Sequence, residues 1–508
     1  LYQTLIPSDE HNRFQRLSER MAEAQDTRSA ALQAEDSAGS AWFLSNQTVG
    51  LRVSVDLFAG TLEQLTHKIP YFKELGIRLV HFTAQPPTQD LEMAQFRAPI
   101  AALRAEGIRV CLDVPITSTD AELEWSSLFE TLAERVLFAA NIGVSVVNLA
   151  DISCLTTGSG TKNRNGPQVH TLLRMLRLMV EMVCPSVVLL GKGGGKPAET
   201  VKCFGSDTEP ECHLLYNDEL SVNLWNTLAT RDARLMAKCA KHNVRLPKHA
   251  CWLHYARCQD EIDWRLNDNV IQALGFNPEA HRQYLIHFYK GDHYLSHARG
   301  ERFAFNSETL DACNCGTLAS LAGLEASLEQ NDLYQRELAI KRILLIHAQL
   351  LAEAGIPMLN SGDELAALND WRYKEDPGKA ADSRWLHRPV FDWERADNRT
   401  DPSTIEGLVF TTLQQLIAIR QQQEILGAAI PSKVIECQER PIYSFVKYLG
   451  SEIFLFIGNY SEDRQFVQSS AFHGMGLFGT HTDRISGKTV QLNQDRILLG
   501  PFEYLWLK

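Results

Sequence analysis

The 508-residue chain is 44% hydrophobic and 22% charged, the balance of a globular protein long enough for two or three domains, one of them a large barrel. A formal net charge of -12 without a compensating basic stripe excludes a polyanion such as nucleic acid as the main partner. No run approaches the roughly 18 apolar residues of a membrane-spanning helix, which leaves no membrane partner.

Residues 1–40, rich in Glu, Gln, Arg and Ala, read as one or two amphipathic helices with a polar outer face, suited to packing or oligomerisation. Because Leu1 is not an initiator methionine, the start is expected to be missing. A β-leaning run, Val49 to Leu57, opens a repeating pattern. Helix Leu62 to Leu75, Gly76 and strand Leu79 to Phe82 are followed by helix Gln95 to Ala105, Gly107 and strand Arg109 to Val114. Helix Glu122 to Ala140, Gly143 and strand Val144 to Leu149 come next, then helix Val169 to Val183, Pro185 and strand Ser186 to Leu190. Short apolar strands punctuated by glycine or proline are the signature of parallel βα units. His213 to Tyr216, Ala250 to His254 and Ile356 to Leu359 supply later strands. The expected class is α/β, a TIM (β/α)8 barrel over residues 46–428 after a helical segment at 1–45. Residues 261–342, after strand 7, exceed a normal connection and read as an inserted subdomain. Helix Gly407 to Gln423 closes the barrel region. Residues 429–508 carry short alternating runs split by glycines, expected as an antiparallel β-sandwich with one solvated face.

Eleven scattered cysteines fit a reducing cytoplasm rather than a disulfide framework. The close pair Cys313-Asn314-Cys315 lacks zinc-ribbon spacing, and neither a metal nor another cofactor is expected.

Several blocks together resemble amylosucrase, a member of the α-amylase superfamily (glycoside hydrolase family 13). They are Trp42 to Asn46, Val55 to Gly60, Lys68 to Gly76, Leu224 to Arg231, Gly362-Asp363-Glu364, Asp382 to Trp385 with His387-Arg388-Pro389, and Asn398 to Thr404. The resemblance runs from about Trp42 to the carboxyl end. It implies the barrel fold and a double-displacement reaction on sucrose, with an Asp nucleophile ending the fourth strand, a Glu acid/base after the fifth and a stabilising Asp after the seventh.

This sequence departs from that pattern. The positions matching Arg, an apolar residue and the nucleophile are Asn148, Leu149 and Ala150, with a carboxylate displaced to Asp151. Alternation along a strand turns Asp151 away from the side Ala150 faces unless a bulge restores it; otherwise it is a solvated or capping carboxylate. Lys192 stands in place of the acid/base, in Gly191-Lys192-Gly193-Gly194-Gly195-Lys196. An ammonium that remains protonated is a poor proton donor to a glycosidic oxygen. Lys192 and Lys196 are either an anion-binding pair or part of a degenerate loop. In Arg257-Cys258-Gln259-Asp260 the stabilising Asp260 survives while Gln259 replaces a glucose-gripping His. Asp113 survives too, with Thr117 and Ser118 in place of Asn-His. These carboxylates, with Arg257 and Gln259, are candidates for sugar binding or for hydrogen bonding within the barrel. Arg388 resembles a sucrose-pocket arginine, or makes a structural ion pair.

Only about 30 residues separate Val114 from Gly143, so the domain that protrudes from the family's third loop is absent. The expected function is a catalytically inactive barrel with a binding, scaffolding or regulatory role in carbohydrate metabolism. The alternative is an active α-glucoside hydrolase or glucosyltransferase with an altered site. The expected partners are a sugar ligand, a second copy of the chain or an active homologous subunit.

Overall fold

The computed structural model describes residues 11–83, 93–116, 120, 123–150, 166–192, 197–242, 246–258 and 260–508. Eight parallel strands form a closed barrel: β1 (Gly50–Val53), β2 (Leu79–Phe82), β3 (Arg109–Pro115), β4 (Val146–Ala150), β5 (Val188–Gly191), β6 (Leu214–Tyr216), β7 (Cys251–His254) and β10 (Ile356–Asn360). A hairpin supplies β8 (Glu301–Phe303) and β9 (Cys313–Cys315). The protein divides into two units, Leu1–Tyr216 with Val244–Leu253, and Asn217–Asn243 with His254–Lys508.

In the first unit β1 to β7 pair side by side in chain order. The strands β1, β2 and β5 are buried along their whole length, as a parallel sheet covered on both faces requires. Gly76 ends the helix Ile69–Leu75 in the left-handed region, φ 86°, so the chain can reverse into β2 without a Cβ clash. Gly143, φ 101°, does the same before β4; a Cβ there would meet Ile100 and Arg104 at 3.1 and 3.0 Å. The strand expected at Leu79 to Phe82 is found residue for residue. The run Val49 to Leu57 instead splits into β1 and a helical turn, Val55–Phe58. Phe58 turns back to stack on Phe72, ring centres 5.4 Å apart. Between β3 and the helix Trp125–Asn141 lie only residues 116–124, too few for a protruding domain.

The N-terminal helices His11–Asp26 and Ala30–Ala38 are tied to the starts of the barrel strands through buried charge. Arg28, 1% exposed at its side chain, donates from Nη1 to the Ala140 carbonyl at 2.9 Å and from Nη2 to Asp36 Oδ1 at 2.9 Å. Asp36 Oδ1 also accepts from the Ser186 hydroxyl at 2.6 Å. Trp42 Nε1 donates to the Ser186 carbonyl at 2.9 Å, and the Arg109 guanidinium lies 4.3 Å from the Trp42 ring centre.

In the second unit a 20-residue helix, Leu333–Ala352, runs through Arg342, and helix Ile405–Gln421 packs beside it. C-terminal strands β11 (Lys433–Ile435), β12 (Ile442–Leu449), β13 (Glu452–Asn459) and β18 (Tyr504–Leu507) form one antiparallel sheet. Two ribbons accompany it: β14 (Gln465–Gln468) with β17 (Arg496–Leu499), and β15 (Thr480–Thr482) with β16 (Thr489–Gln491). The expectation of a solvated sheet face is corrected here. Ile442, Val446, Leu455 and Ile457 join a core with Val467, Phe472 and Leu499, while the opposite face buries Tyr443, Phe445 and Phe456. Lys447 is wholly buried because Nζ finds the carbonyls of Ala352 and Gly427 at 3.2 and 3.5 Å.

Arg28→Met should lower stability by about 2 kcal/mol, since it leaves the half-buried Asp36 carboxylate without its countercharge. The double variant Arg28→Met, Asp36→Leu should recover part of that loss. Urea denaturation of the single and double variants measures both.

Candidate functional site

The register of the first unit lines up a row of polar side chains inside the barrel. Arg52 pairs with His81 across β1 and β2, and Asp113 with Asn148 across β3 and β4; partners in a parallel ladder face the same side. His81 Nε2 lies 2.6 Å from Asp113 Oδ1, and Asn148 Nδ2 donates to that same oxygen at 2.7 Å. Arg52 donates from Nε to His81 Nδ1 at 3.3 Å and from Nη2 to the Tyr216 hydroxyl at 2.7 Å. With Nδ1 accepting, the His81 proton belongs on Nε2, where it donates to Asp113. Burial works against ionisation of Asp113, but the hydrogen bond from His81, the charge of Arg52 and the Asn148 amide outweigh it. They hold this carboxyl below its ordinary range. Asp113 is thus hydrogen-bonded within the barrel.

Ala150 lies two residues beyond Asn148 and pairs with Pro115. It shares the inward side of β4 with Asn148, while Leu149 faces the other way and is 1% exposed. Where the resemblance calls for a nucleophilic carboxylate, the barrel presents a methyl group. Lys192 follows β5 and is half-buried. Asp151, Thr117, Ser118, Lys196 and Gln259 lie outside the described residues, so the bulge considered for Asp151 and the anion pair of Lys192 and Lys196 are not resolved by this geometry.

In the second unit Arg257 is committed to its own neighbours. Its guanidinium donates to Asp363 Oδ1 from Nε at 2.8 Å and from Nη2 at 2.6 Å, and from Nη1 to the His387 carbonyl at 3.3 Å. With its oxygen turned to the guanidinium, the Asn360 amide accepts from Nη1 and Nη2 at 3.2 Å. Both members of the ion pair are 2% exposed at the side chain. Burial raises the Asp363 pKa to about 6 despite the attraction of Arg257. His347, 1% exposed, has no hydrogen-bond partner among the described residues for either ring nitrogen; burial, then Arg257, lowers its pKa to about 3. Asp260 lies 3.9 Å from the Cys258 sulfur, and the Arg388 guanidinium 5.5 Å from the Trp385 ring centre. His254, ending β7, sits 2.6 Å through Nε2 from the Ala354 carbonyl and 3.3 Å through Nδ1 from Asn217 Nδ2. That arrangement suits a neutral ring, and burial lowers its pKa to about 3.

Sequence reasoning singled out Asp113 and Arg257 but not Arg52, His81, Tyr216, Asp363 or His347. A signal existed for the first two, a charged or polar residue in the third place of otherwise apolar four-residue strands. No local pattern marks Asp363 as the partner of Arg257, since 106 residues separate them.

No family model matches the chain. It is similar to a glucosylglycerate phosphorylase of Spirochaeta thermophila, 23% identical over 385 residues, which cover 73% of this chain and 61% of that protein. It is also similar to the trehalose synthase/amylase TreS of Mycobacterium tuberculosis, 24% identical over 238 residues, 46% of this chain and 33% of that one. The match therefore spans less than two thirds of either relative's length. Among solved structures, AmyP in complex with maltose superposes with a TM-score of 0.62 at 12% identity, over 94% of this chain and 98% of that one. An α-amylase from Geobacillus thermoleovorans complexed with acarbose gives 0.57 at 11% identity, over 91% and 98%. The barrel with N-terminal helices and C-terminal antiparallel sheets is the α-amylase fold. The chain is thus similar to carbohydrate-active proteins of the phosphorylase and trehalose synthase kind and shares the α-amylase fold.

The buried histidines should make the protein less stable in acid. Folded pKa values of about 3 for His254 and His347 lie below the ordinary 6.5, so the unfolded chain binds more protons between these limits and stability falls on acidification. Asp363, raised to about 6, acts the opposite way between about pH 6 and its ordinary 3.8. Two histidines against one aspartate leave a net loss of about 1.4 kcal/mol per pH unit from about pH 6 to pH 4. His213 and His297, shifted downward chiefly by burial, steepen it. Urea unfolding across this range should show stability declining with acid.

Proposed function

We propose that this protein is a catalytically inactive, amylosucrase-like barrel serving as a binding, scaffolding or regulatory component of carbohydrate metabolism. The observation that carries this reading is the inward-facing end of β4, where Ala150 follows Asn148. Retaining glycosyl transfer needs two carboxyl groups about 5 to 5.5 Å apart, one to attack and one to protonate the leaving oxygen. A methyl group cannot attack, and the ammonium of Lys192 is a poor acid for a glycosidic oxygen. The surrounding polar groups support the same conclusion. Asp113 is held by His81 and Asn148, and the donors of Arg257 are spent on Asp363, Asn360 and a carbonyl.

The relatives named as phosphorylase and trehalose synthase favour the other reading, an active α-glucoside hydrolase or glucosyltransferase that uses Asp260 and a differently placed acid. A sugar ligand is the proposed small-molecule partner, as solved relatives hold maltose and acarbose. An active homologous subunit or a second copy is the proposed protein partner. The proposed compartment is the cytoplasm, where the ten cysteines among the described residues, none in a disulfide, remain thiols.

Purified protein incubated with sucrose, maltose, trehalose or glucosylglycerate, with and without inorganic phosphate, should release no glucose, fructose or glucose phosphate above a blank. Steady turnover of any of them contradicts the reading. Restoring the two acids by Ala150→Asp with Lys192→Glu should also give no turnover on sucrose, because Asn148 still stands at the motif's Arg and Gln259 at its glucose-gripping His. Recovered activity in that double variant would show that the carboxylates alone were missing.

A further inference from the structure

A cavity of about 420 Å³ opens in the second unit, lined from the helices Asp218–Thr230, Arg234–His242, Asp268–Ala273 and Pro278–Lys290 and from Arg440. Nothing in the function argued above uses it. Its volume is in the range of small-molecule sites. One wall is apolar and aromatic, formed by Leu235, Ile271, Leu274, Phe276 and Tyr284. The Tyr284 hydroxyl already donates to the Ala229 carbonyl at 2.7 Å, so this residue offers the cavity its ring.

The polar lining mixes donors with the acceptor lone pairs of Thr230, His281 and Asp232, and its donors come from Asn226, Asn277 and Arg440. Asn226 is 1% exposed, and its Oδ1 lies 2.6 Å from His281 Nε2, which fixes the amide. Its Nδ2 group, on a residue lining the cavity, has no acceptor among the described residues. Asn277 uses Oδ1 to cap its helix at Ala280 N, 2.9 Å, and keeps its amide hydrogens. Arg440 is drawn in by the bond from Ala233 N to its carbonyl, 2.7 Å; it is exposed, and its guanidinium has no partner among the described residues. The one carboxylate, Asp232, is already matched by Arg234 Nε at 2.9 and 3.0 Å. An amide donor facing a cavity is open to a ligand acceptor, and a guanidinium fork fits a carboxylate.

We propose that this cavity binds a small organic carboxylate with an apolar or aromatic body. The body lies against Ile271, Leu274 and Tyr284, and the carboxylate accepts from Asn226 Nδ2 and Arg440.

The test is calorimetric titration of the full chain with phenylacetate, with benzyl alcohol as the uncharged body and maltose as the saccharide. The variants are Arg440→Ala and Ala280→Trp, both at exposed positions lining the cavity, with unliganded melting curves confirming that each folds. One-to-one phenylacetate binding that weakens about tenfold in Arg440→Ala, vanishes in Ala280→Trp and exceeds benzyl alcohol affinity at least as much supports the proposal. No phenylacetate binding overturns it, as does binding unchanged in the two variants, or maltose that competes for the site.

Discussion

The hydrogen-bonded row from Tyr216 through Arg52 and His81 to Asp113 and Asn148 is the constraint on which the barrel interior depends. A parallel barrel packs its lumen with side chains, so any charge there must find its match inside. Arg52 and Asp113 supply one charge of each sign, and a neutral His81 links them by donating one way and accepting the other. In this low-dielectric setting such a closed chain is strong, and each member left without its neighbour would be costly. Stability and reactivity then pull in opposite directions. A carboxylate held below its usual pKa by matched partners is a good structural anion and a poor base.

The same economy recurs in the second unit. The Arg257 guanidinium meets a carboxylate, an amide oxygen and a carbonyl. Lys447 and Arg420, both wholly buried, direct donors to backbone carbonyls near the end of the helix Leu333–Ala352: those of Ala352 and Gly427 for Lys447, and those of Leu351 and Gly355 for Arg420. Helix ends leave carbonyls without partners, and these cations supply them. Cationic side chains that sequence alone would place at a surface or a substrate are thus built into the scaffold.

The fold was largely legible because its signals are local. Apolar four-residue strands, glycines before β2 and β4, and the short segment after β3 each follow from a few neighbouring residues. The C-terminal sheet was harder. Alternation in β12 gave the right strand but suggested one solvated face, and only the approach of another segment nearly 100 residues away shows that both faces are covered. At the candidate site Ala150 and Lys192 can be read directly against the motif of the resemblance. The network around Asp113 and Arg257 could not be read in that way. The partners of Asp113 and Arg257 come from other strands and turns, and pairing at such separations leaves no periodic trace.

The central claim is that no side chain at the end of β4 can take up a glycosyl group. The most direct measurement is intact mass spectrometry after incubation with α-glucosyl fluoride, whose fluoride departs without help from an acid at the position of Lys192. That substrate isolates the nucleophile from the acid. The account predicts unmodified protein and no fluoride release above the blank. A protein mass increased by one glucosyl residue, mapping to the segment around Ala150, would contradict it.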